Sequence, residues 1–250
     1  MSKGILYDAT LCIGCLLCEG ACAEQNGLPY DKQHADLKKQ TATKFTYVAV
    51  HADEKYMRRL CMHCADPTCV SVCPVKALEK SKDGPVVYDA SKCMGCRYCM
   101  VACPWGVPKY EWSKAVPTVK KCTMCVDRLA AGKQTACSEV CPTGATITGE
   151  RDELLFEAQK RIRENPTQYV NHIYGEKEAG GTSTLMLSSV PFEQFGLRTF
   201  GPESLPKITG KALSHVPEVV TVGWALLGGV YWITNRRDDV TDSEKKDQEK

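Results

Sequence analysis

Cys93-Met94-Gly95-Cys96-Arg97-Tyr98-Cys99-Met100-Val101-Ala102-Cys103-Pro104 is the stretch that decides the architecture. Its spacing, C-x2-C-x2-C-x3-C-P, sets a thiol at every third residue of a tight loop and a fourth thiol three residues beyond. Three thiolates so spaced wrap three corners of one [4Fe–4S] cube, while the backbone amides between them donate to sulfur. The fourth points away and serves the neighbouring cube. Working outward, the same spacing recurs at Cys12, Cys15, Cys18 and Cys22. Cys61, Cys64, Cys69 and Cys73 follow C-x2-C-x4-C-x3-C and are closed by Pro74. Cys122, Cys125, Cys137 and Cys141 follow C-x2-C-x11-C-x3-C and are closed by Pro142. These groups use all 16 cysteines of the 250-residue chain, so four [4Fe–4S] clusters are expected. The fourth cysteine is expected to start a helix, where the next residue, proline, lacks only an amide that needs no partner.

Other uses of the thiols fit less well. Cysteines two residues apart do not satisfy disulfide geometry with one another. Zinc ribbons pair one C-x2-C with a distant second, whereas the first and third groups place three cysteines in seven residues. No C-x-x-C precedes a histidine, which excludes c-type haem attachment. A composition of 43% hydrophobic and 25% charged residues excludes a disordered chain. The 32 Lys+Arg against 30 Asp+Glu give no sign of a nucleic-acid partner. Nucleotide-binding glycine loops, H-E-x-x-H and G-x-S-x-G are absent, so no catalytic site is expected in this chain.

The fold expected is α+β, with two nested ferredoxin-like units, an irregular C-terminal arm and one transmembrane helix. The second and third groups are joined by a strand, the turn Asp83-Gly84-Pro85 and the strand Val86-Val87-Tyr88. They form an inner unit, about 55–110, inserted in an outer unit of 1–54 plus 111–150. Ile5-Leu6-Tyr7 and Ala145-Thr146-Ile147-Thr148 are expected as edge elements. The crosswise rule assigns one cluster to Cys12, Cys15, Cys18 and Cys141, and its mate to Cys122, Cys125, Cys137 and Cys22. In the inner unit Cys61, Cys64 and Cys69 take Cys103, and Cys93, Cys96 and Cys99 take Cys73.

Beyond this domain, 1–150, Leu154, Leu155, Ala158 and Ile162 recur at helical spacing. Residues 166–210 lack periodicity and read as an arm laid on a partner or on the cluster domain, or as a flexible linker; helix and arm together are taken as 151–215. Between Glu218 and Arg236 lie seventeen uncharged residues, enough for a membrane helix, 216–234, if its flanks snorkel. Ala225, Gly228 and Gly229 offer a small-residue face and Tyr231 and Trp232 an interfacial end. The tail, 235–250, carries eleven charges in sixteen residues. Arg236, Arg237, Lys245, Lys246 and Lys250 after the span, against Arg198, Lys207 and Lys211 before it, place the tail inside and the clusters on the periplasmic face of the inner membrane. Cys12 leaves no room for a cleavable leader, so export would require a partner that carries one.

Of His34, His51, His63, His172 and His215, His63 lies inside the second cysteine loop, where it either tunes a cluster or is a solvated or backbone-bonded imidazole. His215, at the near mouth of the span, is read as interfacial. Arg97, Lys120 and Lys121 flank cysteines as surface cations or as charges that raise a potential. Trp105 reads as packing.

Taken together, these residues resemble the four-cluster iron–sulfur subunits of membrane-bound respiratory hydrogenases and of formate dehydrogenase-N. The resemblance rests on Leu6-Tyr7-Asp8, on Cys61-Met62-His63-Cys64-Ala65-Asp66-Pro67, on Cys96–Pro104, on Lys121-Cys122-Thr123-Met124-Cys125-Val126-Asp127-Arg128, on Tyr174–Thr182 and on the C-terminal span. It implies a non-catalytic electron-transfer subunit. Such a subunit lies between a catalytic molybdenum, tungsten or nickel–iron subunit and a membrane cytochrome b or quinone-binding subunit in the bilayer. The arm resembles the hydrogenase type; the fourth cysteine group and the leaderless start favour the formate dehydrogenase type. The alternatives are the electron-input subunit of a molybdenum reductase acting on polysulfide or dimethyl sulfoxide, and a membrane-tethered ferredoxin carrier.

Overall fold

The computed structural model describes residues 2–115 and 117–248; Lys250, one of the cations counted after the span, lies outside them. In chain order they form β1 (Lys3–Asp8), α1 (Leu17–Gln25), α2 (Lys32–Asp36), β2 (Tyr47–His51), β3 (Lys55–Arg59), α3 (Thr68–Ser71), β4 (Leu78–Lys80), β5 (Val86–Tyr88) and α4 (Tyr98–Ala102). Then follow β6 (Lys109–Tyr110), β7 (Val119–Lys120), α5 (Val126–Ala130), α6 (Ala136–Glu139), β8 (Thr146–Glu150), α7 (Arg151–Glu164), β9 (Thr184–Leu187), α8 (Leu205–Ser214) and α9 (Val216–Gln248). The chain separates into two units, Met1–Pro206 and Lys207–Lys250.

The first unit is organised on β1. Its Ile5-Leu6-Tyr7 run is buried on both faces, the mark of a central strand. β8 pairs with it antiparallel, Leu6 opposite Ile147, and β9 parallel, Leu6 opposite Leu185. The edge position expected for Ile5-Leu6-Tyr7 is therefore corrected: β1 is the middle strand, because the segment beyond residue 166 supplies β9. Thr184-Leu185-Met186-Leu187 is buried at every position, so no alternation betrayed it. Side-chain alternation gives β1 two jobs. Ile5 and Tyr7 face Met57, Leu60, Met124 and Cys137, on the side of the cysteines. Leu6 faces Leu154, Ala158 and Ile162 of α7, an apolar stripe of four-residue period. Arg151 ties the arm to this sheet by donating from Nε to the Thr182 carbonyl at 2.7 Å.

A smaller core lies between the second and third cysteine groups. There β4 and β5 pair antiparallel, Leu78 opposite Tyr88, across a turn in which Gly84 N–H donates to the Ser81 carbonyl at 3.2 Å. Leu78, Val86, Cys99 and Val119 are buried together. The hairpin of β2 and β3, Val48 opposite Arg58, stands beside the first group.

In the second unit α9 continues 14 residues past Thr234 through the charged tail as helix. Leu205–Arg237 contains the one stretch, among the described residues, long and apolar enough to cross a membrane. Val219, Trp224, Leu226, Leu227, Tyr231 and Trp232 are exposed along it.

Candidate iron–sulfur centres

The four cysteine loops share a backbone feature. The residue before the second cysteine has positive φ in each: Gly14 68°, His63 48°, Gly95 74° and Met124 57°. Leu16 and Arg97, directly after the second cysteine, are also left-handed, at 61° and 65°. A non-glycine residue pays ~1–2 kcal/mol for this conformation, and its repetition gathers successive N–H groups into a concavity that suits an anion. At Gly14 a side chain is excluded on two counts, since a Cβ would lie 2.3 Å from the Tyr56 ring. After the loops, α1 and α4 start at Leu17 and Tyr98, so the third cysteine sits in the first helical turn. The fourth cysteine does not start a helix as expected. Cys103 caps the end of α4, and Cys73 and Cys141 follow α3 and α6 by two residues, with each proline beyond the helix it stops.

Four cysteines from two groups line each of three chambers. Cys12, Cys15, Cys18 and Cys141 surround one, with Tyr7, Val48 and Arg58 in its wall. Cys22, Cys122, Cys125 and Cys137 surround a second, with Thr46, Arg58 and Met124. Cys73, Cys93, Cys96 and Cys99 surround a third. The other four thiols also lie together: burial, and then Cys61, Cys103 and Cys69, push the Cys64 thiol above its ordinary range.

The four sets form a series. Burial lifts the Cys18 thiol to about 11, and Cys137 of the second set adds to it. Cys122 is raised well above its ordinary value by burial and then by Cys22 and by Cys61, a member of the Cys64 set. Cys69 of that set is raised to about 12 by burial, with Cys99 of the third chamber contributing. At Cys18, Cys122 and Cys69 burial disfavours the thiolate, which an electropositive group beside it would favour. Among the described residues no three His, Cys, Asp or Glu side chains converge on a single metal ion. Four thiols set round a chamber, with no three converging on a point, suit a polynuclear iron–sulfur group, which these cysteines would hold, better than a single zinc with Zn–S bonds of ~2.3 Å.

Hydrogen bonds to the fourth cysteines repeat as well. Ala77 N–H donates to Cys73 Sγ at 3.2 Å and Val107 N–H to Cys103 Sγ at 3.4 Å, each from four residues on. Burial would raise the Cys141 thiol, but the Thr146, Thr143 and Ala145 amides and the Thr143 hydroxyl bring it below its ordinary value. Cys22, with no proline after it, lies inside α1 instead, and the Asn26 side-chain amide donates to its Sγ at 3.7 Å.

Residues that look alike in the sequence part company here. Arg97 is exposed, its guanidinium 5.5 and 5.3 Å from the Tyr110 and Trp112 ring centres. Lys121 is buried, and Nζ donates to the Val86 and Cys122 carbonyls. His63 is buried and backbone-bonded: Val86 N–H donates to Nδ1 at 2.9 Å, which leaves the proton on Nε2, and Nε2 has no partner among the described residues. Burial, with Lys121 and Lys80 beside it, holds His63 well below the usual histidine range, hence neutral. A buried donor without an acceptor in this loop accords with a sulfur cluster as the missing group. Trp105 packs as expected, its Nε1–H donating to Tyr174 Oη at 3.0 Å. Arg58 is the residue the sequence reading passed over; nothing in Tyr56-Met57-Arg58-Arg59 distinguishes a buried arginine from a surface one.

Residues 52–151 match the 4Fe-4S dicluster domain family. A protein of Nitratidesulfovibrio vulgaris strain Hildenborough is 44% identical over 98% of this chain and 70% of its own length. The hydrogenase-2 operon protein HybA of Escherichia coli O157:H7 is 41% identical over 78% of this chain and 73% of its own. The iron-sulfur subunit of the nitrate-inducible formate dehydrogenase of Escherichia coli K12 is 34% identical over 72% and 66%. The chain belongs to this family of iron–sulfur subunits of the formate dehydrogenase and hydrogenase type. Identity is higher to HybA than to the formate dehydrogenase subunit, so it does not carry the leaning to formate dehydrogenase taken from the fourth cysteine group and the leaderless start.

Proposed function

We propose that this chain is the electron-transfer subunit of a membrane-bound formate dehydrogenase- or hydrogenase-type complex, with four [4Fe–4S] clusters in series. When bound, each cubane supplies a one-electron centre. Cys12, Cys15, Cys18 and Cys141 would hold the first, and Cys22, Cys122, Cys125 and Cys137 the second. Cys61, Cys64, Cys69 and Cys103 would hold the third, and Cys73, Cys93, Cys96 and Cys99 the fourth. The two halves are nested ferredoxin-like units within 1–150, followed by the arm, the span 216–234 and the tail 235–250. The observation that carries this reading is the series of thiol sets, each near enough to the next for their thiols to act on one another electrostatically.

The ends of the series support two partners. At the first set Ile13 and Leu17 are exposed; at the last, the equivalent Met94 and Tyr98, joined by Val101 and Trp112. Apolar surface beside a terminal cluster suits close docking that excludes water. One end would receive electrons from a catalytic subunit and the other deliver them to a membrane cytochrome b or quinone subunit. The chain itself holds the clusters and adjusts their potentials with sulfur hydrogen bonds and buried charge, and makes or breaks no substrate bond. The apolar helix would anchor it in the inner membrane, with the clusters on the periplasmic side.

Iron and sulfide analysis with a paramagnetic-resonance redox titration of the detergent-purified complex tests the reading. About sixteen irons per chain are expected; about twelve would mean that one set holds no cubane, and stoichiometric zinc would overturn the assignment. Truncation before Val216 should free the clusters from the membrane and stop quinone reduction, while the partner enzyme still reduces a soluble dye. Protease added to spheroplasts should digest the cluster domain; loss of the tail alone reverses the orientation.

A further inference from the structure

Buried cations need buried anions, and Arg58 has no carboxylate among the described residues. It lies on β3 at 2% exposure. Its Nε donates to Thr46 Oγ1 at 3.0 Å and its Nη1 to Thr146 Oγ1 at 3.2 Å, both neutral hydroxyls. The buried acids are committed elsewhere. Asp8 accepts from Arg161 at 3.0 Å and Tyr169 at 2.9 Å, Glu19 pairs with Lys44 at 2.6 Å, and Glu178 with His172 at 2.6 Å. A lone guanidinium withdrawn from water costs several kcal/mol unless anions lie close. What Arg58 does line is both chambers of the outer cysteine groups, and it is the one residue common to the two walls. Its hydroxyl partners divide likewise: Thr46 lines the chamber of Cys22, and Thr146 the chamber of Cys12.

We propose that Arg58 is the counter-charge shared by the two outer clusters, and that its guanidinium raises both of their potentials together. The inference rests on the four-cluster reading above. A cubane held by four thiolates is an anion that gains further negative charge on reduction. A cation fixed between two such anions favours the reduced form of each and weakens the repulsion between them. Guanidinium suits the place, since it is planar, weakly hydrated and not deprotonated in proteins. The two threonines fix it at the junction, where it bonds Cys137 of one set and lies close to Cys18 of the other. Arg58 is thus a positioning residue for electron transfer, acting through the clusters.

Arg58→Gln and Arg58→Lys in the full-length chain, purified in its complex, separate charge from packing. Iron content and the four midpoint potentials are read for each. With Gln, about sixteen irons are expected to remain. Two potentials should fall together, each by about a tenfold change in the oxidised-to-reduced ratio, or about 59 mV for one electron. The other two stay, and Lys keeps all four near their original values. If the outer pair cannot assemble without a cation, Gln leaves about eight irons while Lys retains about sixteen, which also supports the proposal. Gln and Lys behaving alike, a shift confined to one cluster, or no shift overturns it. An unsubstituted chain with fewer than four clusters overturns the underlying reading instead, before any Arg58 variant is made.

Discussion

Cys73 and Cys22 hold equivalent places, each the fourth thiol of its group, yet their surroundings are built differently. Cys73 follows the single turn of α3, is stopped by Pro74, and accepts its hydrogen bond from the Ala77 amide. Cys22 sits within the longer α1 and relies on the Asn26 side chain. The contrast extends to the pairs of groups. The inner pair is closed by the nineteen residues of chain between Cys73 and Cys93, a β-hairpin and a small apolar core. The outer pair is assembled from segments about a hundred residues apart, on a three-stranded sheet whose third strand arrives later still. It also buries charge: Arg58, and Lys44 against Glu19, with side chains 3% and 0% exposed. Local chain closure makes the inner pair cheap in loop entropy. The outer pair depends on long-range packing and on buried ionic contacts.

That difference can be broken most sharply at β1. Leu6→Asp places an unpaired carboxylate under α7, where removal of apolar contact and burial of charge together cost more than about 3 kcal/mol. The outer pair should be lost and the inner pair kept, so iron falls to about eight per chain. Loss of all the iron would show that the inner pair does not stand alone.

Single clusters come next. Cys22→Ser should perturb the cluster of Cys122, Cys125 and Cys137 and spare that of Cys12, Cys15 and Cys18; Cys73→Ser should perturb that of Cys93, Cys96 and Cys99. Paramagnetic resonance reads both. A change in the cluster of the residue's own loop would overturn crosswise ligation.

Lys44→Met tests the buried charge without touching a ligand. It strands Glu19, which also accepts from Val48 N–H at 2.7 Å and Tyr30 at 3.1 Å. About 3–5 kcal/mol of stability should be lost, measured by denaturant unfolding, with clusters intact at low denaturant. A loss under about 1 kcal/mol would mean that the pair is open to solvent, as surface pairs are.

The smallest effect is expected from Asn26→Ala. It removes one long N–H···S contact and the bond from the same amide to the Cys22 carbonyl at 2.7 Å, together worth about 1 kcal/mol, so one outer potential should drop slightly and the inner potentials should not move. A shift equal to that of Arg58→Gln would mean that Asn26 orients more than Cys22.

Much of this was legible in the chain because cysteine spacing is local. A seven-residue loop with three thiols and a glycine before the second one fixes backbone and ligands together. The apolar stripe of α7, the β4–β5 hairpin and the uncharged helix near the C-terminus likewise declare themselves by period, turn or length. Other features were closed to such reading. β9 shows no alternation because both its faces are buried, and with it went the central place of β1. Arg58, Lys121 and Arg97 are equally cationic in the sequence. Only the tertiary structure separates the first two, deprived of water and of carboxylates, from the third, solvated over two aromatic rings. Burial is a property of distant segments brought together, and no spacing along one segment encodes it.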